Sequence, residues 1–295
     1  MENNNERKAL ISAAVLYFFW GFTFLASKVI QKYVTPFVLL AYRFDIAALL
    51  LLVPWLVGKQ KLRLKGKNVK ALLSLGLMEP CLYFIGEQYG IRYTNSAFSG
   101  IMIALIPIVT LIFAALFLKE NPSRKQWGFS ILSIAGIIVI TLSENSGGSV
   151  KISGVLFLIL AVVTGAAYTT ISRGISDEFS TYERTIVVQV IGALFFSSLA
   201  LIENRGNLSA MVEPLIIPDF LLAELFLSCI ASILCYSLFN YAVANAPTAK
   251  VVVFCNLTTV VSVIAGVVIL GDRFSVVSVM AMVLVLIGII GVQKS

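Results

Sequence analysis

The chain has 295 residues, 59% of them hydrophobic and 13% charged, a net charge of +7 and a mean hydropathy of +0.96. A soluble domain carries about a quarter charged residues, so this composition excludes an ordinary water-soluble fold. With no histidine, four scattered cysteines and no CxxC pair, His-based acid–base catalysis is excluded, and neither a zinc site nor a disulfide frame is expected.

Ten apolar runs follow one another at roughly residues 9–30, 36–57, 70–91, 97–118, 126–143, 153–172, 183–202, 219–241, 248–270 and 275–292. Each is long enough as a helix to cross a hydrocarbon core of about 30 Å, and lipid offers an open backbone no partner, so helices are the expected spanning element. The alternating segments of a β-barrel are absent from the pattern. The first run is too long for a signal-peptide core and is read as retained. The fold class expected is an all-α polytopic membrane protein of ten helices.

Along the chain, the first run carries Tyr17 and Trp20-Gly21 and ends near Lys28, read as an interface anchor. The second opens at Pro36 and holds Tyr42, Arg43 and Asp45. An ionised group at mid-span costs roughly 2.5–3.5 kcal/mol on insertion scales, so Arg43 is expected to snorkel, to pair with a third-span carboxylate or to bind a substrate carboxylate. Asp45, two residues on, cannot share its helical face. The basic loop at residues 59–70 sets topology and meets anionic lipid, a better reading than nucleic acid.

The third run supplies Glu79-Pro80, Tyr83 and Glu87. Glu79, Tyr83 and Glu87 are four apart and stack on one helical face, while Pro80 removes a backbone hydrogen bond beside Glu79. Two readings of Glu79 stand side by side: a carboxyl lining a transport path and able to couple protons, or structural glue between helices. Glu87 lines the same wall, pairs with Arg92 or faces solvent. Pro107 and Gly100 mark flexure, and Gly128 and Gly136 mark close packing.

Residues 93–142 reappear, altered, at 244–294. Ser96-Ala97 is answered by Thr248-Ala249, Leu118-Lys119-Glu120 by Leu270-Gly271-Asp272, and Gly136 by Gly288. The chain therefore divides into a first five-helix repeat (1–144), an outer linker (145–152) and a second repeat (153–295). Five spans per repeat is odd, so the second repeat enters the membrane from the opposite side, the inverted arrangement in which a site forms between the halves. The second-half positions matching Glu79, Tyr83 and Glu87 are Ala231, Cys235 and Phe239, so the acidic stripe is expected in one half only. Gln189, Asn240, Asn256, Thr258 and Thr259 are the mid-span polar groups there, with Tyr168 as an aromatic beside the small residues Gly165-Ala166-Ala167. Gly288 and Gly291 face Gly128 and Gly136, or else a second protomer, leaving a homodimer open.

Lysine and arginine set the orientation. With both termini cytoplasmic, the inner segments hold fifteen of the 22 and the outer ends six, with Arg43 inside a span.

These features resemble the EamA branch of the drug/metabolite transporter superfamily. The resemblance rests on Trp20-Gly21, on Pro36 followed by Tyr42-Arg43-Phe44, on Ser96-Ala97 through Pro107 to Glu120, and on the second-half echo ending at Asp272. It departs from the family pattern at Thr258-Thr259 and Gly271-Asp272. What it implies is a small-molecule transporter, with efflux as the usual direction.

The function expected is secondary-active, alternating-access export of small metabolites or drugs, amino acids or organic cations favoured. Uptake or exchange of neutral or anionic metabolites such as sugars or nucleotides is the alternative. The residues expected at the substrate or coupling site are Glu79, Tyr83, Glu87, Trp20, Arg43, Gln189 and Asn256, with an aromatic face beside a carboxylate suited to an ammonium. Cofactor, metal and nucleic acid are not expected, and no Walker sequence is present. A channel would want a continuous polar pore, an enzyme a catalytic constellation and a receptor a soluble domain. A bacterial inner membrane suits the chain.

Overall fold

The computed structural model describes residues 2–93, 102–143, 151–270 and 276–295, which are helical with no strand among them. Ser96-Ala97, Gly100, the linker at 144–150, Gly271-Asp272 and the side chains of Lys28 and Arg92 lie outside the described residues.

Among the described residues the first half carries α1 (Glu2–Gly21), α2 (Thr23–Ile30), α3 (Pro36–Leu56), α4 (Val69–Gly76), α5 (Tyr83–Tyr93), α6 (Ile106–Phe117) and α7 (Arg124–Ser143). The second half carries α8 (Ile152–Gly174), α9 (Thr181–Glu203), α10 (Pro218–Leu225), α11 (Cys235–Asn245), α12 (Thr248–Val252), α13 (Cys255–Leu270) and α14 (Val276–Gln293). Local chemistry sets several starts. Thr35 caps α3 ahead of Pro36, Asn68 caps α4, and Ser180 with Glu183 forms a capping box on α9.

Among the described residues, six stretches are long and apolar enough to cross a membrane: Asn4–Ser27, Pro36–Leu56, Val69–Gly90, Ile152–Gly174, Thr181–Glu203 and Pro218–Asn245. Shorter apolar helices accompany them at Ile106–Phe117, Thr248–Ser262 and Val279–Gln293. Leu56, Leu116, Phe117, Leu194 and Val268 are exposed on the outside, as a surface bathed in lipid tails requires.

The stretches Val69–Gly90 and Pro218–Asn245 share a backbone feature. Leu77–Leu82 joins α4 to α5 as a π-helical turn, and Phe226–Leu234 joins α10 to α11 in the same way. A shift of 152 residues, which carries Glu120 onto Asp272, also carries 77–82 onto 229–234, inside the second π stretch. Duplication has kept the irregularity as well as the helices.

The halves interleave. α3 packs along α9 and α7 along α14, so corresponding elements meet; α5 on α8 is answered by α11 on α1. That pairing is what a two-fold relation between the halves produces. α7 and α14 meet through small residues: a Cβ on Gly136 would lie 2.8 Å from the Ala281 carbonyl oxygen, and one on Gly288 2.7 Å from that of Phe129. Gly128 has nothing within 4 Å.

Of the core clusters, one gathers Tyr17, Tyr168, Tyr236 and Phe239, and another Phe44, Phe84, Phe196 and Ala231. Trp20 packs against both, at the seam where the site lies.

Candidate functional site

Glu79 sits inside the first π stretch with extended backbone angles (φ −141°, ψ 121°), so the third span breaks where its carboxylate emerges. Pro80 cannot donate to the preceding turn, which leaves carbonyls free at this depth. At the equivalent position in the π stretch Phe226–Leu234, the Ala231 carbonyl accepts the Trp20 indole N–H at 3.0 Å. One π stretch thus presents a carboxylate and the other holds an aromatic ring.

Around Glu79 the aromatics converge from three helices. The Tyr236 hydroxyl donates to Glu79 Oε1 at 2.6 Å. Trp20 lies edge-on to Tyr236 at 5.6 Å and to Tyr17 at 5.3 Å, and Tyr168 stacks on Phe239 at 5.4 Å. Gly21 brings this face of α1 against α13: a Cβ there would strike Val261 at 2.5 Å, and Ser262 donates to the Gly21 carbonyl at 2.6 Å. Glu79, Trp20 and Tyr83 stay partly accessible in the middle of the bundle, while Tyr236 is 1% exposed. A carboxylate rimmed by π faces is a setting for an ammonium group.

On the same stripe the Tyr83 hydroxyl donates to Glu87 Oε1 at 2.9 Å, and Glu87 is buried, which leaves out the solvent-facing one of its three readings. The Tyr83 ring lies over Gly165 of α8, where a Cβ would sit 3.4 Å away.

Arg43 does not snorkel. It is 5% exposed, donates from Nε to Ser232 Oγ at 2.7 Å and lays its guanidinium over the Phe84 ring at 5.2 Å. Its charge acts on Glu79 and Glu87 without an ion pair closer than 4.0 Å among the described residues. Gln189 donates from Nε2 to the Ser232 carbonyl at 3.2 Å, so α3 and α9 converge on one serine, and Gln189 Oε1 is buried without a partner among the described residues. Asn256 is drawn elsewhere: its Nδ2 donates to Ser133 Oγ of α7 at 2.8 Å. Asp45 accepts from Ser197 at 2.8 Å, apart from Arg43.

Two buried charges escaped the sequence reading. Glu224 is 1% exposed and accepts from Ser228 Oγ at 3.2 Å, so buried acid is found in both halves, although the positions matching the Glu79–Tyr83–Glu87 stripe are Ala231, Cys235 and Phe239. Glu224 stands near a span end, where an acid reads as interfacial. Arg184, counted above with the inner-loop cations, is 1% exposed and donates to the Ser172 carbonyl and Oγ and to the Asn240 carbonyl at 2.7–2.8 Å. The Ser180 capping box was its available signal, because it starts the helix early enough to put Arg184 on the inward face. Among the described residues no group of three or more Cys, Asp or Glu could hold a metal ion.

The family model described as the EamA-like transporter family matches residues 7–142 and 152–293. The uncharacterized transporter YcxC of Bacillus subtilis is 33% identical over 294 residues, covering 99% of this chain and 94% of that protein. An uncharacterized transporter of Archaeoglobus fulgidus is 26% identical, covering 96% and 97%. One solved crystal structure superposes with a TM-score of 0.79 over 97% of this chain and 98% of its own, at 19% identity, a likeness of fold.

Proposed function

We propose, from the premise that this chain belongs to the EamA-like transporter family, that it is a secondary-active, alternating-access exporter of small amine-bearing metabolites or drugs. Membership and the apolar helices make it an integral membrane transport protein acting on a small molecule in a lipid bilayer. The finer reading has ten spans in two inverted repeats, both termini in the cytoplasm of a bacterial cell, and a site between the halves.

The observation that carries the choice of substrate is Glu79: a carboxylate at a helix break, held by Tyr236 from the other half and ringed by Trp20, Tyr17 and Tyr168. Cation–π attraction and a partly buried carboxylate together favour an ammonium over a neutral or anionic group. Arg43 and Gln189 favour the second reading, in which the ligand brings a carboxylate or a neutral polar group to Ser232.

The test is a thermal-shift screen of purified protein against amino acids, polyamines, quaternary ammonium dyes, nucleosides and sugars, with Glu79→Gln alongside. A ligand at 100 times its Kd stabilises the folded state by about 2.7 kcal/mol, enough to read. Amines should raise the Tm of the wild type and lose most of that shift in Glu79→Gln. Stabilisation by sugars or nucleosides that ignores the substitution would move the site to Arg43.

A further inference from the structure

Along the eighth span, Glu224, Ser228, Ser232, Tyr236 and Asn240 recur every fourth residue, and all five are 0–1% exposed. In an α-helix of about 3.6 residues per turn a spacing of four drifts steadily around the axis. Here the π stretch Phe226–Leu234 lies in the middle of the series, and its wider turn offsets that drift. The result is one buried polar rail, and its neighbours mark it. Arg43 and Gln189 meet Ser232, Glu79 meets Tyr236, and Tyr168, Ser172 and Arg184 meet Asn240.

Glu224 heads the rail, and its Oε2 has no hydrogen-bond partner among the described residues. A dry carboxylate oxygen with no donor is costly, so it calls for a proton or another positive partner. The charges that face it are few. From α3 come Arg43, which does not reach ion-pair distance among the described residues, and the Tyr42 phenol. Glu213 before α10 is exposed, and Lys28 of α2 has its side chain outside the described residues. With the side chain enclosed and no cation at ion-pair distance among the described residues, a proton is the partner that fits without repacking.

We propose that Glu224 is a proton-binding carboxyl of the translocation path, standing at the far end of the rail from Asn240 and in line with Glu79 through Tyr236. The proposal rests on the transporter reading for its meaning, but its test needs no substrate.

The experiment is an infrared pH titration of the ligand-free protein in lipid nanodiscs, comparing the wild type with Glu224→Gln, Glu79→Gln and Glu87→Gln. One titrating carboxylic-acid C=O band should vanish in Glu224→Gln and persist in the other two. Glu224→Asp, which keeps a carboxyl, should retain a titrating band at a displaced frequency and serves if the glutamine variant folds poorly. A titration unchanged by both Glu224 substitutions would overturn the proposal. Failure of the amine screen with this band present would sink the substrate reading alone.

Discussion

At Arg184 a full positive charge is held inside the second half by neutral acceptors, the Ser172 carbonyl and hydroxyl of α8 and the Asn240 carbonyl of α11. Three interhelical bonds at roughly 0.6 kcal/mol each set a floor of about 2 kcal/mol, and more is lost when the acceptors are left dry. Arg184→Met should therefore lower the melting temperature in detergent clearly, and Arg184→Lys should not restore it, because a point donor cannot span both helices. A full rescue by lysine would show that charge alone matters there. Comparable residues differed in how far they could be read from sequence. Tyr83 and Glu87 were legible as a pair because four-residue spacing nearly matches an α turn, whereas the break in the helix at Glu79 lies outside that spacing. Arg184 and Glu224 lie within a few residues of span ends, where a charge reads as interfacial until its neighbours are known.

Elements were legible where hydropathy decides them and illegible where backbone irregularity does. Pro80 announces the first π stretch, but Phe226–Leu234 contains no proline, so nothing in its composition signals the second. The contact between α7 and α14 is a clearer case, since the glycines were visible and the structure sets Gly136 and Gly288 against the facing helix, with Gly128 outside the contact. Gly136→Leu should push the helices apart and cost roughly 1–3 kcal/mol, the range for overpacking, whereas Gly128→Ala meets open space and should leave stability nearly unchanged. Chemical denaturation of both variants in the same detergent checks the contrast. Both substitutions raise helix propensity, so a loss at Gly136 that does not exceed the change at Gly128 would mean that close packing does not govern this contact.

Across the whole molecule, the ion pairs found among the described residues are Glu6–Lys250 at 2.9 Å, Glu120–Arg173 at 3.2 Å and Lys67–Glu183 at 3.3 Å, and each joins the first half to the second. They lie at the end of the bundle that holds the N-terminus, and Glu120 also accepts from the Thr248 N–H and hydroxyl at the start of α12. Partly exposed pairs contribute about 0–1 kcal/mol each, weak enough to break in a working cycle. Neutralising Glu6, Lys67 and Arg173 together should barely change the Tm. It should speed thiol labelling several-fold at a cysteine placed at buried Ala246, with the native cysteines replaced by alanine. Unchanged labelling would mean that these contacts do not close that end. The paired π stretches carry a longer consequence. Both copies keep the wider turn at the same place and differ in the residue on it, Glu79 in one and Ala231 in the other. A backbone irregularity kept while its side chains diverge marks the turn itself, rather than any one residue on it, as the inherited feature.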